Sequence, residues 1–102
     1  MNQLNCLTIE GKITSITGVK ETPQGLKYYN FFIEVSRLEN KQIVLNKFEV
    51  LAFNKVAEYV ERRFKSNNPF PVRIVGRLKE ERLQVSDGTK VSKTVIIAEH
   101  IE

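Results

Sequence analysis

The run Val-Arg-Ile-Val-Gly-Arg-Leu-Lys-Glu-Glu-Arg-Leu at residues 72–83 leaves little room for any structure but a strand. Val72, Ile74, Gly76 and Leu78 share one parity and are apolar or minimal. Arg73, Arg77 and Lys79 share the other, with Val75 the exception. Alternation with period two describes a strand with one buried face and one wet face. Gly76 marks where such a strand bends. A row of cations on the wet face suggests a polyanionic partner.

The same period recurs along the chain. Residues 4–16 carry Leu7, Ile9, Gly11 and Ile13 on one parity, and the mid-strand glycine predicts a bend or a close backbone approach. Residues 18–25, with Pro23 and Gly25, read as a hairpin loop. In the second strand, residues 26–37, Tyr29, Phe31, Ile33 and Val35 are apolar, while Tyr28 and Phe32 fall on the parity that should be wet. Those two rings fit a subunit interface or a second packed face; they equally fit a platform for unpaired bases. Residues 38–44 are polar and read as a long loop. The third strand, residues 45–53, puts Phe48, Val50 and Ala52 on one face and Lys47, Glu49, Leu51 and Phe53 on the other.

The period then changes. Asn54 reads as an N-cap, and Val56, Val60 and Phe64 repeat at i, i+4 and i+8 with Ala57 beside them, predicting one amphipathic helix. Arg62, Arg63 and Lys65 complement its dipole, which is reason enough for them. Residues 66–71 stop the helix, and residues 86–89, Ser-Asp-Gly-Thr, form a turn after the fourth strand. The last strand, residues 91–101, has Val95, Ile96 and Ile97 in succession, which fits a strand covered on both sides and leaves its inward parity open.

Three strands, a helix and two strands predict an all-β OB-fold: a five-stranded Greek-key barrel with one α-helix between strands 3 and 4. A chain of 102 residues fits one domain, residues 1–102. Nothing in it reads as a signal peptide or a membrane span, and the single cysteine, Cys6, points to a reducing cytoplasm. Cys6 has no activating neighbour, since the one histidine, His100, lies at the far end. With no metal-spaced cluster and no glycine-rich phosphate loop, the expectation is a protein that is not an enzyme and uses no cofactor or metal. Net charge of +4 says little by itself; its placement says more.

Five pieces, in order, resemble the bacterial single-stranded-DNA-binding proteins. They are Asn-Cys-Leu-Thr-Ile-Glu-Gly-Lys-Ile at 5–13, Thr-Pro-Gln-Gly at 22–25, Phe-Phe-Ile-Glu-Val-Ser-Arg at 31–37, Phe-Asn-Lys-Val-Ala-Glu-Tyr-Val at 53–60, and Val-Arg-Ile-Val-Gly-Arg-Leu-Lys at 72–79. The resemblance implies bases stacked on outward rings and phosphates along basic strands. Phe53 matches a family stacking position. There is no tryptophan; Lys47 and Leu83 stand where many members carry one. Binding that leans on phosphates and weakens steeply with salt is the consequence. Members usually continue into a flexible segment with an acidic tip, whereas this sequence ends at Glu102. That fits either a trimmed chain or a tail-less relative, of the primosomal replication protein B type or of the plasmid- or phage-borne type.

The leading expectation is therefore a sequence-tolerant single-stranded-DNA binder of replication, recombination or repair, acting as a homo-oligomer, dimer or tetramer. Phe53 is the first stacking candidate, with Tyr28 and Phe32 behind it. Lys12, Arg37, Lys47, Arg73, Arg77, Lys79, Arg82 and Lys93 are candidate phosphate contacts, although Glu80 and Glu81 could neutralise Arg82. The competing expectation is a replication-restart OB-fold module that works mainly through protein contacts, with Phe32 and Val75 at the interface.

Overall fold

Every alternating segment becomes a strand, and the strands close on one another. The structure, a computed structural model, describes residues 2–63 and 70–102, with residues 16–19 described by their backbone alone. In chain order the elements are β1 (Leu7–Glu21), β2 (Lys27–Glu39), β3 (Gln42–Phe53), α1 (Asn54–Arg63), β4 (Phe70–Gln84) and β5 (Lys90–Ile101). They form a closed barrel in the order β1-β2-β3-β5-β4, with the helix between β3 and β4, as the OB-fold requires.

Closure depends on long strands that serve two neighbours each. The first half of β1 pairs with β4 (Leu7↔Gly76 to Ile13↔Phe70) and its second half with β2 (Lys12↔Glu34 to Glu21↔Lys27). Register shifts between Ile13 and Ser15 and between Ile16 and Val19 insert extra β1 residues and coil the strand from one partner to the other. Gly11 sits inside this crossing: a Cβ there would lie 2.7 Å from the Glu34 carbonyl oxygen. Gly76 is tighter still, against the backbone of Ile97, where the β4–β5 register also shifts. The last contact, β3 to β5, is parallel and spans only Val50↔Ile96 to Ala52↔Ala98.

Inward parity matches the sequence pattern at most positions. Ile13, Phe31, Ile33, Val50 and Ile74 are fully buried, and Ala57 and Val60 of α1 join them to cap the core. In the final strand Ile96 and Ala98 face this core, while Val95 and Ile97 face a second, smaller cluster with Leu51. Both sides of β5 are thus covered. Two inward assignments fail: Phe48 and Leu78 are exposed, although their register partners Ile33 and Ile96 belong to the core. Asn54 begins α1 in the left-handed region, φ 54°, which asparagine tolerates. The residues expected as the third helical contact, Phe64, and as the helix stop, with Lys65, lie outside the described residues apart from Phe70 and Pro71, which already belong to β4.

The largest correction concerns loops. Residues 38–44 do not form a long loop: β2 runs to Glu39, β3 starts at Gln42, and Asn40-Lys41 alone make the turn. Both turn residues have positive φ, 49° and 65°, the signature of a type I′ hairpin whose twist matches the flanking strands. Residues 18–25 shrink likewise, because β1 continues to Glu21 before the turn held by Gly25 N–H donating to Thr22 O (2.9 Å). The 86–89 turn is as expected, and Asp87 Oδ1 accepts from Thr89 N–H at 2.8 Å, which holds its carboxyl below the usual range. Lys41→Gly should relieve the strained φ and raise stability by about 0.5–1 kcal/mol, net of the added freedom of the unfolded chain. Thermal denaturation of the two proteins checks it.

Candidate nucleic-acid interface

The second cluster lies on the outer surface of the barrel, and it is the floor of a groove. Alternation on β2 and β3 turns Tyr28, Asn30 and Phe32 outward on one strand and Phe53, Leu51 and Glu49 outward on the other, as register partners Tyr28↔Phe53, Asn30↔Leu51 and Phe32↔Glu49. The parallel pairing sets Ile97 beside Leu51, and β5 pairing sets Arg77 beside Ile97, Lys79 beside Val95 and Glu81 beside Lys93. Four strands therefore present one continuous face. Tyr28 and Phe53 are half-buried, with ring centroids 5.8 Å apart and planes inclined by 35°. They pack on Leu51, Val95 and Ile97.

A concavity of about 420 Å³ runs over this floor, lined in part by Lys20, Tyr28, Glu49, Phe53, Lys79 and Lys93. Hydrocarbon and rings at the bottom with ammonium groups at the rims can hold stacked bases and their phosphates together. The cations are only partly free. Lys93 Nζ donates to Glu49 Oε1 at 3.1 Å and Oε2 at 3.2 Å, so its charge is already met. Lys20 and Lys79 make no ion pair among the described residues, nor do Arg77 and Lys47, which flank the groove along β4 and β3.

The remaining candidates go elsewhere. Arg73 points outward on the β1–β4 side, where its Nη2 and Nε donate to Glu10 Oε1 at 2.8 and 3.0 Å and Glu102 stands 3.8 Å away. That bonding to Glu10 raises its pKa. Lys12 lies in a separate groove with Arg73, and its register partner on β2 is Glu34, which also faces Lys47. Arg82 has the opposite parity to Arg77 and Lys79 and is bonded to Glu80 at 2.6 Å. Arg37 shares parity with Ile33 and Val35, beyond the barrel's end, and pairs with Glu39 at 3.6 Å. Phe32 shares the outward parity of Tyr28 but lies outside the groove lining. Leu83 pairs with Val91 on the β4–β5 arm, and both are nearly half-exposed.

Lys20 was not anticipated on this face, and Asn30 and Glu49, though of the outward parity, were not among the candidate contacts. Lys20 falls in the stretch read as loop; the register Lys20↔Tyr28 puts it beside a groove ring. The outward Leu51 and the consecutive Val95-Ile96-Ile97 were the sequence signals for a second, external apolar cluster.

An open OB barrel face with rings on its floor and lysines on its rims defines a single-strand nucleic-acid-binding fold. The sequence matches the single-strand binding protein family over residues 4–102, and the chain belongs to that family. It is accordingly an OB-fold protein of the single-stranded-DNA-binding class. Among solved structures it is similar to the protein priB from Ralstonia solanacearum, with TM-score 0.71 and 17% identity over 98% of both chains. A comparison with curated protein sequences finds no match. No described helix is long and apolar enough to cross a membrane.

Proposed function

We propose that the chain is a non-catalytic, sequence-tolerant single-stranded-DNA-binding protein of replication, recombination or repair, working in the cytoplasm as a homo-oligomer. The observation that carries this reading is the Tyr28–Phe53 pair on the outer face of β2 and β3, between Lys20 on one rim and Lys79 on the other. In this reading Phe53 and Tyr28 stack bases, and Lys79, Arg77, Lys47 and Lys20 meet phosphates. Arg73, Arg82 and Arg37 contribute less, because each already has a carboxylate.

Titration of labelled oligo-dT at two or more salt concentrations tests it. Each phosphate contact on a single strand contributes about −0.7 to the slope of log K against log salt. Lys79→Ala should therefore flatten the slope by about 0.7 and weaken binding to all sequences alike. An unchanged slope removes Lys79 from the interface, and a flat slope for the unaltered protein removes the mechanism.

One observation favours a second reading, a replication-restart module that acts mainly through protein contacts. Leu38, Ile43 and Leu45 are 73%, 75% and 57% exposed and lie on one face of the β2–β3 hairpin, with Leu38 directly opposite Ile43. Clustered exposed aliphatics on a projecting hairpin suit a protein partner. Ile43→Asp should lower the native mass or abolish partner capture while sparing DNA affinity if this reading holds.

A further inference from the structure

The groove lies across the weakest seam of the barrel. β3 and β5 pair only from Val50↔Ile96 to Ala52↔Ala98, the shortest ladder between any two neighbouring strands. Beyond it, residues 42–49 of β3 and residues 90–95 of β5 run on with no ladder between them. The β4–β5 arm, which brings Lys79, Glu81 and Lys93 to the groove, is therefore joined to β3 by little backbone.

One side-chain link crosses the gap. Lys93 Nζ donates to Glu49 Oε1 and Oε2, the only ion pair between β3 and β5 among the described residues. In the parallel register Glu49 aligns with Val95, so the link reaches two positions further out along the arm. Asn30 Nδ2 on β2 donates to Glu49 Oε2 and braces it from the other side. The Glu49 side chain is only 17% exposed and that of Lys93 is 42% exposed.

Magnitudes decide what this pair does when DNA arrives. Glu81 stands opposite Lys93 on β4, so the lysine already lies between two carboxylates. Drawing Lys93 away to a phosphate would leave the largely buried Glu49 with one amide. Stripping a buried ion of its partner costs more than an exposed contact returns. The pair therefore stays closed in the complex, and its part is mechanical. It holds the arm at the spacing that lets one strand meet the rings of the floor and Lys79 on the rim together. An arm free to swing must be ordered by the ligand, and that ordering is subtracted from the affinity.

Resting on the single-stranded-DNA reading above, we propose that Glu49 and Lys93 form a strap that presets the groove. They are positioning residues and make no contact with phosphate themselves. The strap fixes the path of the strand and reads no base edge, so every sequence feels it alike.

Anisotropy with oligo-dT over a range of salt, on the full chain, tests it with two paired changes. Glu49→Gln with Lys93→Met cuts the strap and leaves the net charge as it was. Binding is expected to weaken by about 2- to 10-fold at an unchanged salt slope, because the same phosphates are met once the arm is ordered. Glu49→Lys with Lys93→Glu rebuilds the strap in reverse and should bind within about 2-fold of the parent. Parental or tighter binding by the neutral pair overturns the proposal even if its melting temperature falls, since the link then serves stability alone. A slope flattened by about 0.7 in the neutral pair also overturns it, because Lys93 is then itself a phosphate contact. Either result leaves the DNA-binding reading standing, whereas an unaltered protein that does not bind oligo-dT overturns both. If the neutral pair does not fold, the reversed pair decides: a loss well beyond 2-fold there overturns the strap.

Discussion

Gly76→Ala is expected to lower the melting temperature by on the order of 10–20 °C. At this position β4 leaves β1 and continues along β5, and the β4–β5 register shifts between Val75 and Gly76. A Cβ added there would sit well inside the van der Waals envelope of the Ile97 carbonyl oxygen and 3.0 Å from the carbonyl carbon. Both atoms are backbone and part of the ladder, so neither can swing aside as a flexible side chain would. Accommodation requires separating two strands whose neighbours, Ile74, Ile96 and Ala98, are all in the core. Overpacking of this kind costs typically ~1–3 kcal/mol, and this case belongs at the upper end. Gly11→Ala supplies the comparison: its nearest atom, Glu34 O, is at 2.7 Å, a milder clash that should produce a smaller fall. Circular-dichroism melts of the three proteins check the order. A Gly76→Ala melt within about 3 °C of the parent would mean that β4 and β5 do not approach this closely.

Gly76 also shows which features a linear sequence exposes. Its place in an alternating basic strand pointed to a bend, and the bend is there, because parity and a missing side chain are local properties. The same holds for Phe53 and Tyr28: period two alone placed both outward, whatever strand came next. Ion pairing is not local. Glu10 and Arg73 are separated by 63 positions and Glu49 and Lys93 by 44, so only the register of closed strands could show that these cations are already answered. Arg82 and Arg37 are the local cases, with partners Glu80 and Glu39 two residues away, and the sequence reading noted only the first. The loops failed for a different reason. A hairpin turned by Asn40-Lys41 lacks the glycine that marks type I′ turns, so polar strand ends at residues 38–44 looked like loop. Lys20 was lost in the same way at the end of β1.

Phe53→Ala should weaken single-stranded DNA binding by about 5- to 150-fold, the equivalent of ~1–3 kcal/mol for one lost stacking platform. Phe53 closes β3 immediately before the helix begins, so its backbone is held by pairing with Tyr28 and by the turn into α1. Its ring is half-buried, tilted against Tyr28 and supported from below by the Leu51, Val95 and Ile97 cluster. A base arriving here meets a ring whose orientation is already fixed, so little freedom is lost on stacking. Truncation removes that platform and also the support for Tyr28, a contact of about 1 kcal/mol between rings. Tyr28→Ala added to Phe53→Ala should therefore cost less than the sum of the single changes, since the rings share one contact. Phe53→Trp keeps a large ring in place and should retain or strengthen binding. Anisotropy with oligo-dT measures the affinities, and native mass measured alongside separates the two functional readings. Lost affinity at unchanged mass is the outcome for a DNA-binding face. Unchanged affinity with altered mass would assign Phe53 and its apolar cluster to a protein contact instead.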